Sequence, residues 1–314
     1  DLILEKYGAD ALRYYLLTSP VMEAENLNFA ETGVREVYNK LINTLWNVVE
    51  FYNMYAVENV EIVKSENVLD KWILAKLQVL IKDVTRGMET YHLVDASRPI
   101  MEFVTELSQW YIRRSRDRFK GEDITEQQAA TATLHQVLLT LSKVMAPFTP
   151  FIAEKIWLEL SKKKSSVHLE VWPEVEENLL DTEVLEEMIL VRKVVELGLS
   201  ARAEVGIKVK QPLQYIFYQG VELSKQCEQI IADELNVKEV RFIKEVSQQE
   251  GDVLKEDPSV RISLNTIITK ELKQEGLARE LVRLINIKRK EMKLTPNDRV
   301  NVLVDVSDAD LQMV

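Results

Sequence analysis

Cysteine is all but missing from this 314-residue chain, Cys227 being the single example. One thiol makes no internal disulfide, and a structural zinc site draws several ligands from CxxC-like pairs, so neither staple is expected. The three histidines, His92, His135 and His168, lie far apart and form no H-E-x-x-H or H-x-G-H pattern. No metal is expected. The nine glycines are dispersed, which excludes a P-loop and a G-x-G-x-x-G cradle. A Gly-x-Ser-x-Gly elbow is missing too, and Cys227 sits in LSKQCEQII away from any histidine, so no catalytic residue is assigned. No apolar run is long enough to span a bilayer, and a soluble, cytoplasmic protein is expected.

What is present is an ordinary globular composition, 46% hydrophobic and 29% charged, on a chain long enough for two domains. The net charge of −11 argues against a nucleic-acid partner, because phosphate contacts need clustered Lys and Arg. The distribution points the other way. RRSRDRFK at 113–120 holds five basic residues against one Asp, KKK occupies 162–164, and KRKEMK spans 288–293. Such runs are either solvated helix faces or footprints for a polyanion.

Apolar spacing of three and four marks helices. Residues 31–56 carry Val34, Tyr38, Leu41, Leu45, Val48 and Tyr52 on one face; 69–88 carry Trp72, Ile73, Leu77, Leu80, Ile81 and Val84. A third helix is predicted from about Ala96 to Phe119, with Pro99 in its first turn, and a fourth from about Glu126 to Met145. Thr149 and Pro150 read as N-cap and first residue of a fifth, Phe151–Leu160. Five helices with short connectors imply a bundle over 31–174, closed by an extended segment at 166–174. Beyond about residue 175 helices alternate with β-branched runs, implying a smaller mixed α/β domain over 175–314. Its predicted elements are a helix at 184–203, a strand within 206–218, helix then strand over 230–246, a strand at 260–264, a long helix at 271–293 and a final strand at 299–306. Residues 1–30 form a connector: a short helix, a break at Tyr7–Gly8, and a second helix capped by Asp10.

On a helical wheel Phe103, Val104, Leu107, Trp110 and Tyr111 share one arc, while Arg113, Arg116 and Lys120 lie opposite. Arg114 and Arg118 fall beside the apolar arc and are expected to satisfy buried carboxylates or carbonyls. Trp110 is either a core side chain or a stacking surface for a base. Asn39, Asn43 and Asn47 form an i, i+4 stripe suited to interhelical hydrogen bonds. In GIKVKQPL at 206–213, Lys208 and Lys210 share one face of a predicted edge strand.

Several of these segments resemble one family in order. KYGADALRYYLL at 6–17 resembles the segment after the KMSKS loop of class I aminoacyl-tRNA synthetases, WYIRRSR at 110–116 the anticodon-binding bundle of isoleucyl-tRNA synthetases, and MAPFTPFIAEKIW at 145–157 the stretch that closes that bundle. ARAEVGIKVKQPL at 201–213, ADELNVKEVRFI at 232–243 and EGLARELVRLIN at 275–286 resemble the C-terminal junction region of the eukaryotic and archaeal type, which lacks a zinc module. The chain opens on Asp1 rather than methionine and is expected to be a piece of a longer protein.

The resemblance implies a mainly α fold, an anticodon-binding bundle followed by the junction domain, with isoleucine tRNA as partner and a monomer as the assembly. It implies tRNA contacts from Arg113, Arg116, Lys120 and Trp110, and from Arg202, Lys208 and Lys210. No cofactor is expected in this piece; ATP would serve the full-length ligase, whose HIGH and KMSKS segments are not in this chain. The corresponding piece of a valyl or leucyl relative, or a helical interaction module with no RNA role, are the alternatives.

Overall fold

A computed structural model describes residues 2–57, 65–247, 249–295 and 298–303, which divide into two units, 1–185 and 186–314. The first is all helical. α1 (Leu2–Leu17) is bent at Gly8, whose φ of 78° and ψ of 165° suit a residue without a Cβ. A 3-10 turn (Pro20–Glu23) follows. α2 (Glu31–Val37), a wide π turn (Tyr38–Asn43) and α3 (Thr44–Tyr55) together form the helix expected at 31–56. α4 (Val68–Glu89) runs to a Schellman-like turn and α5 (Leu93–Glu106) returns. Gly87 permits that return, since a Cβ there would lie 2.7 Å from the Ala96 backbone nitrogen. A second π turn (Leu107–Ile112) leads into α6 (Arg113–Lys120). α7 (Ile124–Met145) is capped by Asp123, and α8 (Pro150–Leu160) closes the bundle.

The core is made by the faces that the spacing marks: Val34, Leu41, Leu45, Trp72, Ile73, Leu77, Phe103, Leu107, Tyr111 and Leu138 are all buried. The capping differs from expectation. Asp10 does not cap its own helix; its carboxylate accepts from the Phe151 and Ile152 amides, at 3.3 and 2.8 Å, and so caps α8. Thr149 stands at the N-cap position but makes no side-chain cap bond; its hydroxyl donates back to the Met145 carbonyl. Arg13 also donates to the Pro147 carbonyl, so the first and third resembling segments form one joint.

Pro99 lies inside α5 rather than in its first turn, because the helix begins three residues earlier than the pattern suggests. A proline there removes one ladder donor and crowds the preceding turn. The buried Tyr14 hydroxyl stands beside it, donating to the Ser97 carbonyl at 2.5 Å and accepting from the Met101 amide at 3.1 Å. Asn39, Asn43 and Asn47 are exposed and make no interhelical bond among the described residues. Each sits two residues past a core position, Val37, Leu41 or Leu45, which is more than half-way round a helix. Segment 166–174 begins with a 3-10 turn (Val167–Leu169) and runs along α4, where Trp172 Nε1 donates to Thr85 Oγ1 and the Glu176 amide to Gln78 Oε1.

In the second unit, α9 (Thr182–Glu204), which starts just before it, leads to a four-stranded mixed sheet of order β2-β1-β4-β3. β1 (Leu213–Gln219) lies parallel to β2 (Val237–Phe242) through the crossover helix α10 (Lys225–Leu235), since parallel neighbours need a long connection. β3 (Asp252–Glu256) and β4 (Arg261–Asn265) complete it antiparallel. Ile216, Tyr218, Ile262 and Leu264 bury one face. β3 was not foreseen. Residues 206–212 form turns rather than an edge strand, because Gly206 takes a positive φ and Pro212 offers no amide to a ladder. α11 (Lys270–Glu291) is the long helix expected near the end. Of the predicted last strand, 299–303 forms none and 304–306 lies outside the described residues.

Candidate nucleic-acid interface

α3, α6 and α8 finish at one end of the bundle, where Asn53 near the end of α3 donates to Glu159 near the end of α8. Arg113, Arg116 and Lys120 are exposed on α6, as the wheel predicts, and Lys162, Lys163 and Lys164 are exposed just past α8. Arg116, Lys120, Lys162 and Lys164 pair with no carboxylate among the described residues. Arg113 Nε donates to the Gln109 carbonyl, and Lys163 pairs with Glu170. Lys120 stands 4.9 Å from the centre of the Tyr55 ring, a cation–π contact of the order of 0.5–1 kcal/mol where exposed. Tyr55 packs on Phe51, which meets Phe119 edge-on, so an aromatic chain runs from the core to this basic rim.

The stripe rests on a buried ionic hub. Asp70, fully buried, receives Arg118 Nη1 at 2.9 Å and Nη2 at 2.7 Å, the Tyr111 hydroxyl at 2.8 Å and Ser65 Oγ at 2.5 Å. Arg118 Nε reaches Glu126 at 2.7 Å. Burial disfavours the guanidinium's charge, but the Asp70 hydrogen bonds and charge outweigh it and hold its pKa above the ordinary arginine value. Burial, then the Asp70 charge, pushes the Tyr111 phenol well up. Arg118 thus takes the inward role read from its phase. Asp70 lies within the apolar arc of 69–84, between Leu77 and Ile81 on the wheel, which marks it in the sequence as a buried acid without naming its partner.

Trp110 is half-buried beside this hub's helix. The second unit places its residues differently. Arg202 is 1% exposed, and its guanidinium donates to the carbonyls of Lys208, Gln211, Leu235 and Asn236. Burial draws its pKa down to about 10. With both terminal nitrogens spent on carbonyls it clasps the turn rather than offering a charge to a phosphate. Lys210 pairs with Glu280 of α11; Lys208 is exposed, and its carbonyl is one of the clasped four. Tyr55 was missed because nothing in sequence joins the end of one helix to a lysine 65 residues later.

Among the described residues no group of three or more His, Cys, Asp or Glu side chains could hold a metal ion, and no helix is long and apolar enough to cross a membrane. An exposed row of cations beside an aromatic ring can bind a phosphate backbone and stack one base.

The family described as the anticodon-binding domain of tRNA ligase matches residues 70–217. The isoleucine–tRNA ligase of Deinococcus radiodurans is 31% identical over 389 aligned positions, taking in 99% of this chain and 36% of that protein. That of Chlamydia pneumoniae is 41% identical over 77% of this chain and 24% of its own length. The LeuRS chain of a ternary complex with tRNA and LeuAMS, from Agrobacterium radiobacter K84, superposes with a TM-score of 0.41 at 25% identity, covering 57% of this chain and 21% of that one.

Proposed function

Because the chain belongs to the isoleucine–tRNA ligase family, spanning 36% and 37% of two such proteins, we propose that it is the part that holds the anticodon stem and loop of isoleucine tRNA. The exposed cations Arg116 and Lys120 of α6 and Lys162 and Lys164 past α8, with Lys120 beside Tyr55, are the observation that supports this reading. Arg113, Arg116 and Lys120 supply phosphate contacts, which set register and affinity; discrimination comes from unpaired bases that can stack and hydrogen-bond. Lys208 adds a contact from the second unit. The chain acts in the cytoplasm as a monomer, and the whole ligase attaches isoleucine to its tRNA with ATP bound outside this chain. The contribution made here is binding energy remote from the reacting groups.

The test is titration of the chain with isoleucine tRNA, valine tRNA and an isoleucine tRNA with a replaced anticodon, at one fixed salt concentration. Isoleucine tRNA is expected to bind tightest, by a partial margin. Equal affinities for all three would remove anticodon readout from this chain.

A further inference from the structure

α6 has eight residues, entered through a π turn and left at Gly121. It continues α5 through residues that are all αR, and a π turn is where a helix can change direction. Arg113 and Lys120, the ends of its outward row, are about 10 Å apart along the axis at ~1.5 Å per residue, so a small tilt moves one cation off a phosphate while the other stays.

Arg118 lies between Arg116 and Lys120 on the opposite side, and its planar fork is bidentate on Asp70 of α4 while its Nε reaches Glu126 of α7. Tyr111, one residue before the last of the π turn, donates to the same Asp70 and lies 3.3 Å from the Ala130 carbonyl of α7. The hub therefore fixes α6 at both ends against two neighbouring helices. Two-point recognition by a guanidinium fixes angle as well as distance. Replacing a buried ion pair by hydrocarbon of similar volume is often neutral or stabilising, so stability alone is a weak reason for an ion pair here.

We propose that the Asp70–Arg118 pair is a positioning device that aims the Arg113, Arg116 and Lys120 row at a nucleic-acid backbone, without touching that ligand itself. The proposal rests on the RNA-holding reading above. Asp70 and Arg118 are positioning residues, and their effect must appear in binding by a folded protein.

The double variant Asp70→Leu/Arg118→Met separates the roles, because it removes the fork and leaves no buried charge: Glu126 is half-exposed, and the Tyr111 hydroxyl keeps the Ala130 carbonyl. Its melting temperature is expected to equal or exceed that of the wild type. Its affinity for isoleucine tRNA is expected to fall roughly five- to eightfold at 0.1 M salt, and the slope of log affinity on log salt to drop by about one phosphate contact although no outward cation was removed. Arg118→Lys, which keeps the charge and loses the fork, is expected to show the same loss in binding with native circular dichroism, and serves if the double variant does not fold. Arg116→Ala is the control for the reading itself. Wild-type affinity and slope in folded Arg118→Lys, with Arg116→Ala weakened, would overturn the positioning role and leave the RNA reading standing. A wild-type chain that binds no tRNA would withdraw both.

Discussion

Asp10→Ala should destabilise the bundle through a helix that starts 140 residues further on. The carboxylate caps α8 by accepting from the Phe151 and Ile152 amides, and the second of these bonds is buried. Losing an N-cap acceptor costs about 1 kcal/mol, and leaving a buried donor unsatisfied about 1–3 kcal/mol; the two overlap, so about 2 kcal/mol is expected. For a unit of 185 residues that is a fall of roughly 4–8 °C in Tm. Asp10→Asn keeps one acceptor and should lose about half as much at neutral pH. The pH dependence separates the two further. Burial raises the Asp10 pKa in spite of the amide bonds and the nearby Arg13 that lower it. A carboxyl raised on folding favours the native state where it is protonated, below its unfolded pKa, and that advantage fades as pH rises through the folded pKa. Relative to Asp10→Asn, the wild type should therefore gain stability on acidification through the range just above an ordinary aspartate. Urea melts of the three proteins followed by circular dichroism across pH 3–7 measure both effects. An Asp10→Ala protein as stable as wild type would refute the long-range cap, and a wild type that loses ground to Asp10→Asn on acidification would refute the burial-raised Asp10 pKa.

Arg113→Ala and Arg116→Ala should each weaken tRNA binding and lower the salt slope by about one contact, while Arg202→Ala should cost roughly 3 kcal/mol of stability by orphaning buried carbonyls; an unaltered melt for Arg202→Ala would remove its clasp role. Tyr14→Phe should cost about 1–3 kcal/mol, and less in a Pro99→Ala background if the hydroxyl serves the turn that the proline disturbs; strict additivity in that double-mutant cycle would contradict the coupling. Cys227, fully buried, with its thiol 3.3 Å from Glu187 Oε2 and pushed up to about 12 chiefly by burial, should resist alkylation at pH 8 until the protein is unfolded, and rapid labelling of the native chain would count against that burial.

The difference between what the sequence shows and what it hides follows from the range of each interaction. Helix faces repeat every few residues, so Trp72, Ile73 and Leu77 or Val104, Leu107 and Tyr111 identify themselves, and with them the outward phase of Arg113, Arg116 and Lys120. Asp70 was equally legible as an acid on an apolar arc. Its partner was legible as a guanidinium beside another such arc, yet nothing local joined the two, which are 48 residues apart. Caps mislead in the same way. Asp10 and Thr149 each have the residue type that closes a helix, and only the fold shows that Asp10 serves the helix that Thr149 precedes. β3 is short, with three of its five residues charged, so it carries no period-two signal of its own and exists because β4 offers it an edge. Arg202 was the least legible residue. A guanidinium that satisfies carbonyls has no acidic partner to betray it, and in a segment rich in lysine it reads as one more surface charge. Basic residues in this chain therefore divide by what lies under them. Those whose stems leave a core helix outward face a phosphate, whereas those set where a chain turns back on itself are consumed by its carbonyls.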